Sequence, residues 1–267
     1  MSFADEIVEL PPRVTPPPPN GLRYIIATTQ RTGSTVLTDA LSGTGVAGTP
    51  DELFVAGGHA NEALKANFGI RSEADYIDKV IQATATSNGV FGTKLFWRQW
   101  DALIPRLVFK TGMSTEKPIR EILPDLLREG LGSPIKYIWL RRRNKVAQAI
   151  SFYRANQSGV WRSVAGRQDS HSVADREVEF DYHQIAAIRQ QLEDEDLKWN
   201  RYFHFYRLTA LMLVYEEFIE SYDRTVQGVL KFLDLPYDGV SIPPLKLARQ
   251  ADERSQEWEE RFSNFRR

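Results

Sequence analysis

Four short apolar segments, rich in β-branched and aromatic residues, recur along this chain with helix-forming stretches between them. They are Leu22–Thr29, Asn88–Trp97, Ile135–Leu140 and Leu208–Tyr215. Segments of this length and composition are typical of buried strands, whereas the stretches between them show amphipathic helical spacing. Strands that alternate with helices favour a mostly parallel sheet with helices on both faces. The sequence therefore predicts an α/β fold, organised as a single domain with helical insertions.

The stretches between and after the strands contain six predicted helices. These are Val36–Gly43, Ala74–Ala85, Ile119–Leu131, Lys145–Asn156, Phe180–Arg207 and Arg224–Leu233. Residues 1–20 are different, because the four consecutive prolines Pro16–Pro19 favour an extended arm that joins neither a helix nor a central strand. We expect this Pro-rich arm (residues 1–20) to precede one domain that spans residues 21–267.

Composition excludes several classes of function. The chain of 267 residues has 34 basic and 35 acidic residues, so its net charge of −1 creates no general attraction to nucleic acid or anionic lipid. The absence of cysteine excludes disulfides, thiolate catalysis and cysteine-bound metals. No apolar run reaches the roughly 18 residues of a transmembrane helix. The N-terminus is acidic and proline-rich, unlike a signal peptide, so we expect a cytoplasmic protein.

The first predicted strand leads into residues 30–35 (QRTGST), which precede a predicted helix. A strand–loop–helix turn directs unpaired main-chain N–H groups and a helix N-terminus at one point, which suits an anion. Gly33 permits close approach of the main chain, the three hydroxyls can donate hydrogen bonds, and Arg31 adds positive charge. We predict an anion site here. A tight turn in which the hydroxyls only cap the helix is the alternative.

This loop differs from the nucleoside-triphosphate loop GxxxxGK[ST], since it has one glycine and no lysine after it. A second basic feature follows the third predicted strand, where Arg141-Arg142-Arg143 stand at its carboxyl end. Ligands of open α/β sheets bind at that edge. Ser151 follows about two turns into the next predicted helix, so one of these arginines and the Ser151 hydroxyl can bind the same phosphate. The arrangement favours phosphate or sulfate bound without a metal.

A third candidate site is the segment Gly48–Phe54, which contains Asp51 and Glu52 in a predicted loop. Either carboxylate can act as a general base towards a hydroxyl group. A solvated loop carboxylate without a chemical role is the alternative, because position alone is weak evidence.

Together these segments give the chain a family resemblance. Five stretches in a fixed order carry it: residues 30–35 (QRTGST), 45–54 (GVAGTPDELF), 89–97 (GVFGTKLFW), 141–155 (RRRNKVAQAISFYRA) and 248–262 (ARQADERSQEWEERF). With them the chain, from about residue 22 to its end, resembles the bacterial carbohydrate sulfotransferase family that includes trehalose 2-sulfotransferase. The resemblance implies a P-loop-like α/β fold and the donor 3′-phosphoadenosine 5′-phosphosulfate (PAPS), with no metal.

The resemblance also assigns donor-binding residues. The 5′-phosphosulfate loop of the family corresponds to Arg31, Thr32, Gly33, Ser34 and Thr35. Its 3′-phosphate pair corresponds to Arg142 and Ser151, with Arg143 as the alternative to Arg142. The C-terminal segment from Arg249 to Trp258 is similar to the loop that closes over the nucleotide, which makes Arg249 a further donor-binding residue.

On the acceptor side, the proposed general base of the family corresponds to Glu52, with Asp51 as its competitor, and Gln30 matches an acceptor-contacting position. Thr49 stands where the trehalose enzyme has a glutamate beside the acceptor. Trp97 is a candidate for stacking on a sugar, and Lys94 either adds charge to the site or is an ordinary lysine. The acceptor pocket is expected from loops 48–64, 97–105 and 157–175.

The expected reaction moves the sulfuryl group of PAPS to a hydroxyl of a carbohydrate or glycolipid by in-line attack. A P-loop-like kinase and a catalytically silent nucleotide- or sugar-binding protein of the same fold are the alternatives. The sequence leaves open the acceptor, the role of the Pro-rich arm, and the choice between a monomer and a homodimer.

Overall fold

The computed structural model of this chain describes residues 21–132, 134–161, 178–245 and 253–265. Four strands form one sheet: β1 (Arg23–Thr28), β2 (Phe91–Phe96), β3 (Ile135–Arg141) and β4 (Ala210–Val214). They are all parallel and lie in the order β2-β1-β3-β4. Each strand lies inside its predicted segment or extends one residue beyond it. The predicted α/β class is confirmed, whereas the Pro-rich arm lies outside the described residues.

Helices cover the sheet. They are α1 (Ser34–Gly43), α2 (Gly58–Phe68), α3 (Tyr76–Thr84), α4 (Trp100–Thr111), α5 (Ile119–Leu131), α6 (Lys145–Ser158), α7 (Tyr182–Phe205), α8 (Tyr215–Glu220), α9 (Tyr222–Phe232) and α10 (Glu253–Asn264). The six predicted helices are α1, α3, α5, α6, α7 and α9, with ends that differ by a few residues. Within the described ranges, no helix is long and apolar enough to cross a membrane.

Successive residues of β1 face opposite sides of the sheet, as strand geometry requires. Ile25 and Ala27 pack in a core with apolar residues of α3, α4, α5 and α7. Tyr24 and Ile26 pack on the other side with residues of α1 and α9. All six residues of β1 are buried, because both faces of the sheet are covered.

Two of the segments expected to be acceptor loops are helical in part, so that prediction was wrong. Residues 58–64 belong to α2, and residues 97–105 form a short 3₁₀ turn followed by α4. Helix α4 buries Trp100, Leu103 and Leu107 at helical spacing. Pro105 lies inside this helix and interrupts its hydrogen-bonding pattern. Because proline disfavours helix interiors, helix propensity does not predict this helix.

The C-terminal segment also differs from its expected form. From Glu253 onward it is helix α10 rather than a loop, and its Trp258 and Phe262 are buried against α6 and α7. These two residues lie one turn apart on one helix face, so packing on α6 stabilises a stretch that has few other apolar residues. Arg249 itself lies outside the described residues.

Candidate functional site

The carboxyl ends of the parallel strands meet at one edge of the sheet. Thr28 at the end of β1 lies opposite Phe96 of β2 and Leu140 of β3 in the register of the strands. The loop of residues 29–33, hereafter the anion loop, leaves β1 at this edge. Ligands of open α/β sheets bind at such an edge, so the predicted segments are brought to the place where a site is expected.

The anion loop has a backbone that few residues adopt. Both Arg31 (φ 61°) and Gly33 (φ 77°) are left-handed. A glycine is required at position 33 for a second reason, since a Cβ atom there would come within 2.4 Å of the Tyr215 ring. Below the loop, the hydroxyl of Thr28 donates to the carbonyl of Leu140 at 2.9 Å and shares a 2.6 Å hydrogen bond with the Thr32 hydroxyl.

Helix α1 begins at Ser34, two residues earlier than predicted, directly after the loop. Its first N–H groups have no partner within the helix, and no side chain caps it. The buried hydroxyl of Thr32 has one proton, and both of its possible acceptors are close by: the Thr28 hydroxyl at 2.6 Å and the carbonyl of Thr29 at 3.0 Å. The main-chain N–H groups of residues 32–35, rather than the Thr32 hydroxyl, are therefore the donors that this turn can offer to an anion.

Three predicted donor-binding residues from separate segments contact one another. Arg31 donates from Nε to Oγ of Ser151 on α6 at 2.9 Å, and from Nη1 to the carbonyl of Trp161. Arg142, which follows β3, donates from Nη1 to the carbonyl of Arg31 at 3.1 Å. Arg31 therefore links the two other residues, through its side chain to Ser151 and through its main-chain carbonyl to Arg142. Guanidinium and hydroxyl groups of this kind suit the binding of a phosphate.

The two candidate arginines after β3 have different surroundings. Arg142 lies over the ring of Tyr215, with 4.7 Å between its Cζ and the ring centroid, and burial lowers its pKa. Its Nε has no hydrogen-bond partner among the described residues. Arg143 is exposed and pairs with Glu217. Arg142 is therefore the one that faces the anion loop.

Glu216 holds the turn in which these arginines lie. Its carboxylate accepts hydrogen bonds from the main-chain N–H groups of Arg143 and Asn144, each at 3.0 Å. Burial raises the pKa of Glu216, but the two main-chain donors outweigh this effect and hold the pKa below its usual value. Asn144 in turn caps α6 by accepting a hydrogen bond from the N–H group of Ala147.

The predicted base lies beside a buried lysine. Lys94 of β2 is 2% exposed, and its Nζ lies 3.1 Å from Oε1 of Glu52 and 3.6 Å from Oδ1 of Asp51. The carbonyl of Asp51 accepts hydrogen bonds from the N–H group of Lys94 and the hydroxyl of Thr93, which fixes the loop on β2. Because the Glu52 side chain is 22% exposed and that of Asp51 is 51% exposed, Glu52 is the more shielded carboxylate.

The predicted acceptor residues occupy three different environments. The amide of Gln30 is buried, and neither its nitrogen nor its oxygen has a hydrogen-bond partner among the described residues. Thr49 donates from its hydroxyl to the carbonyl of Thr84 at 3.0 Å. Trp97 is partly buried and packs edge-on against Trp199, with 5.1 Å between the ring centroids. Gln30 is therefore the one of these three residues whose buried polar atoms have no partner in the described part of the chain.

Sequence reasoning did not identify Tyr215, Glu216 or Gln148, which all contact the anion loop or the arginine turn. Gln148 is fully buried and donates to the loop. Its position three residues before Ser151 places it on the same face of α6, and that spacing is a signal the sequence contained. Within the described ranges, no group of three or more acidic or histidine residues is placed to hold a metal ion.

The chain is similar to known proteins over nearly its whole length. The family model described as Stf0 sulphotransferase matches residues 23–264. A trehalose 2-sulfotransferase of Mycolicibacterium smegmatis is 30% identical over an alignment of 264 residues, which covers 90% of this chain and 93% of that protein. A trehalose 2-sulfotransferase of Mycobacterium tuberculosis is 29% identical over 267 residues, with the same coverage of both chains.

Solved structures show a more distant likeness. A sulfotransferase from Alicyclobacillus acidocaldarius matches with a TM-score of 0.43 and 15% identity, over 91% of this chain and 92% of that one. A sulfotransferase domain from the curacin biosynthetic pathway matches with a TM-score of 0.41 and 14% identity, over 91% and 98% of the two chains. At these scores they add nothing to the argument about function.

Proposed function

The chain belongs to the Stf0 sulphotransferase family and is a sulfotransferase, and from that premise we propose that it moves the sulfuryl group of PAPS to a hydroxyl of a carbohydrate or glycolipid acceptor. The observation that carries the proposal is the contact of Arg31, Ser151 and Arg142 beside the anion loop. These residues come from separate segments, and together they suit a donor with phosphate groups at two positions. Trehalose is the acceptor named for the relatives.

On the donor side, residues 31–35 bind the 5′-phosphosulfate in a P-loop-like manner, through the N–H groups at the start of α1 and the charge of Arg31. Arg142 and Ser151 bind the 3′-phosphate. The buried Nε of Arg142, which has no partner in the described part of the chain, is a donor that such a phosphate would satisfy. Arg249, outside the described residues, remains a proposed donor contact on the family resemblance alone.

On the acceptor side, Glu52 is the general base. Its carboxylate takes the proton of the acceptor hydroxyl while the hydroxyl oxygen forms a bond to sulfur and the bond from sulfur to the phosphate oxygen breaks. Negative charge then grows on the leaving phosphate, where the N–H groups of the anion loop and Arg31 stabilise it. Positioning and electrostatics therefore supply the catalysis, and the scheme uses no metal.

The acceptor binds next to Glu52, with Gln30, Thr49 and Trp97 as its proposed contacts. The buried and unpartnered amide of Gln30 supports a hydrogen bond to a sugar hydroxyl. The hydroxyl of Thr49 already donates to Thr84, so it can act on a substrate only as an acceptor of hydrogen bonds. A location in the cytoplasm remains a prediction from the sequence, and the choice between a monomer and a homodimer stays open.

The experiment that tests this function is transfer of label from [³⁵S]PAPS to trehalose, other disaccharides, a glycolipid extract and simple alcohols, with EDTA present throughout. We expect label in one class of acceptor. In parallel reactions that contain Mg²⁺ and no EDTA, phosphate transfer from ATP, together with no transfer from PAPS, would instead identify a kinase. Binding of adenosine 3′,5′-bisphosphate with no transfer to any acceptor would identify a silent binding protein.

A further inference from the structure

Gln148 is the one fully buried polar side chain of α6 that touches the anion loop, and neither the fold nor the proposed chemistry gives it a role. It is 0% exposed. Its Nε2 donates to Oγ1 of Thr29 at 2.9 Å and to the carbonyl of Gln30 at 2.5 Å. Both acceptors lie in the two residues between the end of β1 and Arg31. The amide therefore binds the anion loop immediately before Arg31, the first of its two left-handed residues.

The orientation of this amide is set from its other side. Lys145, one turn earlier on α6, donates from Nζ to Oε1 of Gln148 at 2.9 Å. An ammonium group has only donors, so it binds the oxygen of the amide and leaves the nitrogen to face the loop. Without Lys145, the two ends of the amide could exchange places, and Oε1 would then face the carbonyl of Gln30.

Lys145 is itself held by a buried carboxylate on a different helix. Its Nζ lies 2.7 Å from Oδ2 of Asp196 on α7, and Nε of Arg141 lies 3.3 Å from the same oxygen. Asp196 is 3% exposed. A continuous series of contacts therefore runs from α7, through Asp196, Lys145 and Gln148, to the main chain of the anion loop.

The loop needs support of this kind because of its conformation. Arg31 is a non-glycine residue with φ of 61°, a backbone state that persists only when its surroundings enforce it. Thr28 and Thr32 hold the loop from below by their shared hydrogen bond. From the side of α6, Ser151 binds the side chain of Arg31, whereas Gln148 binds the loop at the main-chain carbonyl of Gln30 and at the Thr29 hydroxyl.

We propose that Gln148 is a positioning residue that keeps the anion loop in its binding conformation, with its amide oriented by Lys145 and Asp196. The role in donor binding rests on the proposed function, whereas the role in holding the loop does not. Gln148 acts through the loop and touches no reacting group in this account.

The test compares Gln148→Met, which removes the amide at similar length, with Gln148→Glu, which keeps the shape but has no donor. Gln190→Met is the matched control, because Gln190 is an exposed residue of α7 whose amide donates to Asp194 on the same helix. Two quantities are measured: amide hydrogen exchange of residues 27–35 in the free protein, and the Kd of adenosine 3′,5′-bisphosphate by calorimetry.

We expect faster exchange confined to residues 27–35 in both Gln148 variants, and a Kd raised about tenfold to a hundredfold, as follows from losing one or two buried hydrogen bonds. Gln190→Met should change neither. Lys145→Met should act in the same direction, should add nothing when combined with Gln148→Met, and should be rescued by Lys145→Arg, which keeps a donor.

Wild-type exchange and affinity in Gln148→Met would overturn the proposal. Additive effects of Lys145→Met and Gln148→Met would overturn the orientation by Lys145. Failure of the wild-type protein to bind the bisphosphate would count against the PAPS assignment alone, and a response of loop exchange to Gln148→Met would still support the positioning role.

Discussion

Lys94 and Glu52 form an ion pair at the carboxyl edge of the sheet, with 3.1 Å between Nζ and Oε1, although the lysine is almost fully buried. Lys94 is part of β2, whereas Glu52 belongs to the loop between α1 and α2. The rigid strand therefore fixes the position of a carboxylate that its own loop would leave free. This pair explains how a loop residue can be held ready to take a proton from an acceptor.

Replacing Lys94 tests this arrangement. In Lys94→Met the Glu52 carboxylate loses the charge that positions it, so we expect turnover to fall by about tenfold or more. The Kd of adenosine 3′,5′-bisphosphate should stay close to that of the wild type. Lys110→Met is the control, because Lys110 pairs with Asp78 on the surface at 2.6 Å, away from the sheet edge. Equal turnover in both variants would show that Lys94 has no role in the reaction.

The two arginines after β3 should differ in their effect on donor binding. Arg142 faces the anion loop and lies over Tyr215, so Arg142→Ala should raise the Kd of adenosine 3′,5′-bisphosphate by about a hundredfold, typical of losing a charged hydrogen-bonding group. Arg143 pairs with Glu217 at the surface, and Arg143→Ala should have little effect. Calorimetry on both variants checks this, and the reverse order would move the 3′-phosphate contact to Arg143.

Gly33 and Gly45 form a natural pair for testing the tight turn. Both have positive φ (77° and 70°), but a Cβ atom on Gly33 would come within 2.4 Å of the Tyr215 ring, and one on Gly45 would meet nothing within 4 Å. Alanine is strained by the positive φ at both positions, so the difference between the two variants in bisphosphate affinity measures the effect of the clash with Tyr215. We expect Gly33→Ala to weaken binding of the bisphosphate strongly, and Gly45→Ala to retain wild-type affinity.

Thermal unfolding of the two glycine variants completes this comparison. Gly45→Ala should lose about 1 kcal/mol of stability from backbone strain alone, and Gly33→Ala should lose more because the Tyr215 ring must move. If the two variants lost the same stability and bound the bisphosphate equally well, the Tyr215 ring would be able to move aside without a cost in free energy.

The environment of Glu195 on α7 leads us to predict that the stability of the fold depends on pH. Burial raises its pKa above the ordinary value of 4.5, and the hydrogen bond from Gln191 only partly opposes this effect. The folded state therefore binds the proton more tightly than the unfolded state, so this residue weakens the fold as pH rises above 4.5. Glu195→Gln removes this loss of stability. The thermal midpoint of the variant minus that of the wild type should therefore increase between about pH 4 and pH 8.

The same scan on Glu193→Gln is the control, since it removes a more exposed carboxylate from the same helix. A midpoint difference between Glu195→Gln and the wild type that stays constant with pH would contradict a raised pKa of Glu195 in the folded protein.

The sheet could be predicted from the sequence because its strands are buried on both faces. Such strands appear as short continuous apolar runs, and all four were located. The helices that were missed lack this clear signal. Helix α4 contains Pro105, and half of the residues of α10 are charged. Each of these helices is stabilised by the packing of a few apolar residues, which helix propensity does not take into account.

The site could be predicted only as separate segments. The sequence pattern indicated Arg31, the arginine run 141–143 and Ser151 as anion-binding residues, and the family resemblance implied Arg142 within that run. Their contacts depend on β1 and β3 being adjacent in the sheet. The pairing of Lys94 with Glu52 depends likewise on the loop after α1 folding back onto β2. Long-range contacts of this kind leave no pattern in a single sequence, which is why Lys94 kept two possible roles. For Gln148, the sequence contained only its spacing from Ser151 on the same helix face.

The central claim is that Glu52 takes the proton of the acceptor hydroxyl while the anion loop holds the donor. Its most direct test is the rate of [³⁵S]sulfuryl transfer by Glu52→Gln in the presence of EDTA, with Asp51→Asn as the matched control. The account predicts that Glu52→Gln lowers turnover by about 10²–10⁴ with an unchanged Kd for adenosine 3′,5′-bisphosphate, and that Asp51→Asn stays close to the wild type. Wild-type turnover in Glu52→Gln would contradict it.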